Sequence, residues 1–404
     1  MLIKPVNSGR SFISLLNDTV LYLFSGALAL GTINPFRIHQ SFDPEPESLL
    51  MPILAIVFSF IVLCRYGFKN TPKIIIVFAL LMFFGCLLGD LFYDYYSMDF
   101  KFLTKLLVVL LFFFSCITYF SNNPQKIKTS LIVFSVTCVI VLLVVYFFNN
   151  GNTIEINKGR LFIFGENANS TSSRMLIAAL CFSYDIICNK RKWLVRVLEI
   201  LSLLLLLLYV IQSGSRGSLI SVVFGIILLL LFSKTLFTRK TLFIVLGVII
   251  VTKSLPVLVN NENIAIFERL QELEEGNVRS ELMLNAVNIY KDYPVFGAGN
   301  NGYQVEKMKR NYSPLDSHCI VTSIMAIGGT FALVFFICFW ITLLKKTLLI
   351  RKTNVFPLII DLCITFIALK TGGVITFAFL WYCYAICYSI SVHEFSNQII
   401  DTVN

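Results

Sequence analysis

The chain is divided into about twelve apolar runs of similar length, at 13–31, 48–64, 73–92, 102–120, 128–148, 171–188, 193–212, 217–233, 241–259, 320–344, 355–371 and 372–391. An α-helix needs about 20 apolar residues to cross the hydrocarbon core of a bilayer, and only helices or closed barrels cross it with their backbone polar groups satisfied. These runs are about twice as long as a barrel strand. The expectation is an all-α polytopic membrane protein with about 12 transmembrane helices. Composition points the same way: 14% of residues are charged, against about 25% in a soluble domain. Such a chain has too little charge to face water over most of its surface.

Orientation follows from where the basic residues fall. One set of connections carries Lys4 and Arg10, then Arg65, Lys69 and Lys73, then Lys126 and Lys128, then Lys190, Arg191, Lys192 and Arg196. It continues with Lys234, Arg239 and Lys240, and with Lys345, Lys346, Arg351 and Lys352. The alternate connections hold acids such as Asp43, Glu45, Glu47, Asp90, Asp94 and Asp99. Basic excess marks cytoplasmic loops, which predicts cytoplasmic N- and C-termini and an even number of spans. The net charge of +10 is thus spent on topology and does not form a nucleic-acid-binding face. No small-residue cleavage site follows the first apolar run, so it reads as an uncleaved span. Most of the eleven cysteines lie inside apolar runs and read as small hydrophobes; no Cys/His spacing suggests a metal site.

The largest break between runs is 260–316, which the topology places on the outer face. It divides the chain into spans 1–9 (1–259), a helical outer loop (260–316), and spans 10–12 with a cytoplasmic tail (317–404). Within the loop, 263–274 and 278–291 have helical spacing of apolar positions. Asn277 is a candidate cap for the second helix, and Pro294, Gly297 and Gly299 are its stop signals.

Four residues on this face carry candidate chemistry. Arg216 lies in Gln212-Ser213-Gly214-Ser215-Arg216-Gly217-Ser218, between two spans on a side otherwise poor in basic residues. An interfacial arginine that merely snorkels is the plain alternative, but the small neighbours leave room for a ligand to approach the backbone. Arg279 opens the second loop helix and alone reads as a surface residue. Arg174 begins a span after Asn167, Asn169 and Ser170, and serves equally as ligand contact or interfacial anchor. His318, flanked by Asp316, Ser317 and Cys319, reads either as a structural hydrogen-bonder or as a working imidazole that Asp316 orients or charges. Arginines with a histidine at a membrane face suit a lipid diphosphate. Guanidinium forks grip phosphate oxygens and stabilise a departing diphosphate, while an imidazole accepts the proton of an attacking hydroxyl.

The chain resembles the O-antigen ligase and polymerase superfamily of bacterial inner-membrane proteins. The likeness rests on the SGSRGS turn around Arg216, on the stretch from Arg279 through Pro294-Val295-Phe296-Gly297-Ala298-Gly299, and on the His318 segment leading to Gly328-Gly329. The segment from Arg160 to Asn169 (RLFIFGENAN) adds to it. This chain departs from the family in having Cys319 where an asparagine is common, and Met325, Ala326 and Ile327 where an acid is common.

The resemblance implies en bloc transfer of a glycan from undecaprenyl diphosphate to a sugar hydroxyl at the periplasmic face, with inversion and without metal or other cofactor. Arg216 and Arg279 would hold the donor diphosphate, and His318 would act as base or orient the acceptor; Arg174 has no support from the family's motifs and stays a weaker candidate for a substrate contact. The acceptor would be another lipid-linked repeat unit for a polymerase, or lipid A-core for a ligase. A chain-length regulator is a further conceivable partner, beside membrane lipids. The richness in Ile, Phe, Lys and Asn suits a polymerase that serves one polysaccharide locus. A flippase or transporter is the more distant reading; it would favour internal repeats and ionisable residues at mid-membrane.

Overall fold

The computed structural model describes residues 12–31, 50–67, 73–94, 98–147, 154–157, 160–163, 166–233, 274–370 and 375–403. The expected span at 241–259 and the loop segment 263–273 lie outside them. The described residues form thirteen helices and one β-hairpin. They are α1 (Phe12–Leu30), α2 (Leu50–Tyr66), α3 (Lys73–Tyr93), α4 (Phe100–Asn122), α5 (Gln125–Phe147), α6 (Ala168–Cys188), α7 (Trp193–Gln212) and α8 (Arg216–Phe232). After them come α9 (Glu274–Asp292), α10 (Gly299–Lys309), α11 (Ile320–Leu349), α12 (Phe356–Lys370) and α13 (Ala378–Val403).

Six of these, α3 to α7 and α11, are long and apolar enough to cross a membrane; α1, α2 and α8 are shorter apolar helices. Each expected run up to 233 corresponds to one helix, because a run of that length has no other way to bond its backbone within lipid. The last run differs. Its helix begins only at Ala378 and continues to Val403, well past the expected end at 391.

The helices pack through aromatic and small residues. Phe24 of α1 stacks on Phe112 of α4 with centroids 3.9 Å apart, and Trp381 of α13 packs edge-on against Phe113. Hydroxyls join α1, α5 and α13, where Ser130 lies 2.6 Å from both Ser25 and Tyr382. Such interhelical bonds secure a bundle that gains no hydrophobic drive from lipid. Large side chains such as Phe60, Phe147, Trp193 and Leu231 face outward, as a lipid-covered surface requires.

One end of the bundle gathers the features that matter below. There α1, α3, α7 and α12 finish, α4, α6, α8 and α11 begin, and α9 packs against α11 while α10 packs against α3. The hairpin pairs β1 (Ile154–Asn157) with β2 (Arg160–Ile163), Asn157 opposite Arg160 at the turn. It was not anticipated from the sequence, nor was α10. Asn277 does not cap α9, which already starts at Glu274.

Candidate functional site

The loop is anchored by a break in α11. Gly329 has φ 64° and ψ −164° inside that helix, a region essentially open to glycine alone. The break frees backbone groups, and the loop takes them. Thr330 N–H donates to the Pro294 carbonyl at 2.8 Å, Phe331 N–H donates to Val295 at 3.1 Å, and Ala298 N–H donates back to Ala326 at 2.8 Å. Tyr290 adds a hydroxyl contact with Thr330 at 2.8 Å, and Phe296 stacks on Phe92 of α3 at 4.9 Å. A Cβ at Gly329 would collide with the Val295 carbonyl, and one at Gly297 with Ile327. Two motifs separated in sequence, Pro294–Gly299 and Gly328–Gly329, are therefore one interlocked structure.

The next turn of chain is held by charge. The Asp90 carboxylate accepts the backbone N–H groups of Asn300 and Asn301 at the start of α10, a favourable place for a negative charge. Further along α10, Glu306 receives Tyr93, Lys309 and Arg310, each at 2.9 Å, while Arg310 also reaches Asp292 at 2.6 Å. Burial resists ionisation of Glu306, but these donors prevail and hold its carboxyl at about 2. Beside it, the buried Lys307 donates to the carbonyls of Pro314 (2.9 Å) and Leu315 (3.3 Å), fixing the segment that leads to His318.

His318 has φ 53°, an uncommon value for a residue with a side chain. Its neighbours hold it there: Ser317 is buried, donates to the Cys319 carbonyl at 3.1 Å and meets Ser323 at 2.8 Å. Burial lowers the imidazole pKa below 6.5, the charge of Arg279 lowers it further, and Asp316 opposes both. Asp316 thus favours the charged ring, in the expected direction, without prevailing. Its carboxylate faces Lys307 at 3.6 Å and Gln304 at 3.4 Å, and its pull on the ring is outweighed. Arg279 itself donates to the Lys370 carbonyl at the end of α12, at 3.4 Å. Arg279 is near enough for its charge to reach the His318 ring.

Arg216 belongs to a different element. It is the first residue of α8, half-buried, after a turn made by Gly214 at φ 63°. This turn is tied to the start of α6: Arg160 donates to the Ser213 carbonyl at 3.0 Å and to Asn169 at 2.7 Å, and Ser172 meets Ser218 at 2.8 Å. Arg160, quoted in the sequence only as part of a motif, is the strut between them.

Arg174 is 1% exposed and ion-paired with Glu166, with Ser170 at 3.2 Å. Its guanidinium rests where a Cβ at Gly31 would stand. The pair lines a cavity of about 910 Å³ between α1, α2, α4, α6, α12 and α13, which Arg216, Arg279 and His318 do not line. Lys101 and Lys105 of α4 line it too. Sequence reasoning passed over both, although two lysines one helical turn apart on the acid-rich side breach the charge bias that set the topology.

Residues 201–337 match the family model described as O-antigen ligase. The match runs from within α7 to within α11 and so contains Arg216, Arg279, His318 and the Gly328–Gly329 break. A search of curated proteins found no match.

Proposed function

We propose, from the match of residues 201–337 to the O-antigen ligase family model, that this membrane protein is a polymerase joining repeat units carried on undecaprenyl diphosphate. In the proposed reaction, a hydroxyl of the acceptor glycan attacks C1 of the donor sugar. The new glycosidic C1–O bond forms as the C1–O bond to phosphate breaks, with inversion at C1. Undecaprenyl diphosphate departs with the bonding electron pair, and the hydroxyl proton passes to the His318 imidazole. Arg216 and Arg279 hold the diphosphate and stabilise its developing charge without a metal ion. The loop end of the bundle is assigned to the periplasmic face of the inner membrane and both termini to the cytoplasm. The chain is apportioned as spans 1–259, loop 260–316 and spans with tail 317–404.

One observation carries the reading: a half-buried imidazole, kept from protonation by burial and by the charge of Arg279, stands on a segment that Lys307 and Ser317 fix at the end of the bundle. A neutral imidazole is the form that accepts a proton, and a neighbouring arginine is the group that grips phosphate. A ligase, transferring finished polysaccharide to lipid A-core, is the second reading, favoured by the description of the matching family.

Lipopolysaccharide from a deletion strain separates the two. Core bearing one repeat unit, restored to a ladder by the wild-type gene but not by Arg216→Ala or His318→Ala, is the expected result. Bare core with polymer stranded on its carrier identifies a ligase, and an unchanged ladder rejects both.

A further inference from the structure

Helix α10 is held firmly on α3. Asp90 caps its start, Tyr93 bonds to Glu306, and a Cβ at Gly302 would strike the Tyr93 ring. The adjoining face presents Tyr303 and Lys307, one turn apart and both buried, to the segment that leads into His318. Lys307 holds that segment from two directions. Its backbone carbonyl accepts the Tyr312 N–H at 2.8 Å. Its ammonium donates to the Pro314 and Leu315 carbonyls and lies 3.6 Å from the Asp316 carboxylate. The Tyr303 ring lies beneath that ammonium, 4.6 Å from Nζ to the ring centroid, and its hydroxyl faces Ser317.

A buried ammonium is a costly way to fill space, and an apolar side chain of similar volume is often at least as stabilising. What lysine adds is three donors. They go to a stretch that has no helix or strand to take its carbonyls, and toward the Asp316 carboxylate. His318 follows, at φ 53°. A residue with a side chain stays in that region only where its surroundings over-determine it. Here every preceding position is held: Pro314 and Leu315 by Lys307, Asp316 by Lys307 and Gln304, and Ser317 by Tyr303 and Ser323.

We propose that Lys307 and Tyr303 are positioning residues for His318, setting where its imidazole stands to receive the proton of the acceptor hydroxyl. The proposal rests on the reading of His318 as the base.

The test uses the full-length protein in nanodiscs, supplied with repeat units on undecaprenyl diphosphate extracted from the deletion strain. In Lys307→Met, kcat per folded molecule is expected to fall about a hundredfold, the scale of an ångström's misplacement. KM for the units should change less than about twofold, because binding is untouched. Tyr303→Phe keeps the ring and loses only the hydroxyl, and is the second measure if Lys307→Met does not accumulate. Its kcat should fall at least about fivefold, as for the loss of one hydrogen bond. Lys126→Met breaks an ion pair with Asp18 at the opposite end of the bundle; it should lower the thermal midpoint and leave kcat unchanged.

Diethyl pyrocarbonate reads the ring without reference to activity. With His39 and His393 replaced by Gln, Lys307→Met should raise the pH midpoint of His318 modification. Burial and Arg279 hold that midpoint down, and Asp316, released from Lys307, pulls it up.

Wild-type kcat per folded molecule in Lys307→Met and Tyr303→Phe, with an unmoved midpoint, overturns the proposal and leaves both residues to stability alone. A raised KM with kcat unchanged also overturns it, as a binding role. Full transfer by His318→Ala removes the base, and with it both the proposed reaction and this proposal. An inactive His318→Ala beside a fully active Lys307→Met rejects the positioning role alone.

Discussion

The Arg279 guanidinium works against protonation of His318, adding to the effect of burial and outweighing the opposing carboxylate of Asp316. The ring therefore stays neutral to a pH below its ordinary value of 6.5, and the acid limb of proton acceptance shifts downward. In a His39→Gln/His393→Gln background, which leaves one histidine, reaction of His318 with diethyl pyrocarbonate should have its midpoint below pH 6.5. Replacing Arg279 by Gln removes one of the two lowering influences, so the midpoint should rise. A midpoint that stays put would show that the two residues are not coupled.

Arginine chemistry at the donor clamp is tested by shape as well as charge. Arg216→Ala and Arg279→Ala should each lower transfer at least about a hundredfold, with membrane levels unchanged. Lysine at either position should restore little, since an ammonium cannot form the two-pronged contact. Full transfer by either lysine variant would mean that charge alone suffices.

The break in α11 should tolerate no side chain. Gly329→Ala meets both a backbone region that costs about 1–3 kcal/mol for other residues and the Val295 carbonyl. Thermal unfolding of the purified protein should shift down, and protease should reach the loop sooner. Gly26→Ala, in the middle of α1 with only an ordinary contact to Thr137 at 3.6 Å, should be neutral or slightly stabilising.

Removal of Glu166 leaves the Arg174 charge buried without its carboxylate. Glu166→Ala should destabilise by about 3–5 kcal/mol, whereas Glu166→Leu combined with Arg174→Met should recover most of that loss. The readout is the denaturation midpoint in detergent, compared between single and double variants.

Glu306 makes the attachment of α10 sensitive to acid. Its carboxyl ionises more readily in the folded protein, at about 2 against an ordinary 4.5. Its stabilisation is therefore whole above pH 4.5 and fades as pH falls toward 2. Hydrogen exchange in residues 299–309 should quicken across that window in the wild type, and Glu306→Gln should exchange fast throughout.

The spans were legible because an apolar run of about 20 residues has only one way to satisfy its backbone in lipid. Arg216 was legible as a charge out of place, whereas Arg279 and His318 stood out only through the resemblance to a family. What escaped depended on distant partners. Nothing near Gly328–Gly329 announces that Pro294 and Val295 will supply the missing carbonyls. Glu166 has no local feature that marks it as the partner of a residue eight positions on. The start of α10 is set by Asp90, some two hundred residues earlier, while its own opening, Gly299-Asn300-Asn301-Gly302, reads as turn. Lys101 and Lys105 differ from these: they were passed over, although two lysines on the acid-rich side run against the charge bias and could have been noticed.

The interlock between Pro294–Ala298 and the opening turns of α11 also decides where this protein can be cut and rejoined. A chimera that exchanged only the loop would separate carbonyls from the amides they serve and leave both halves misregistered. The transferable cassette is the stretch from α9 through Phe331, which crosses the line between water-facing loop and lipid-facing helix.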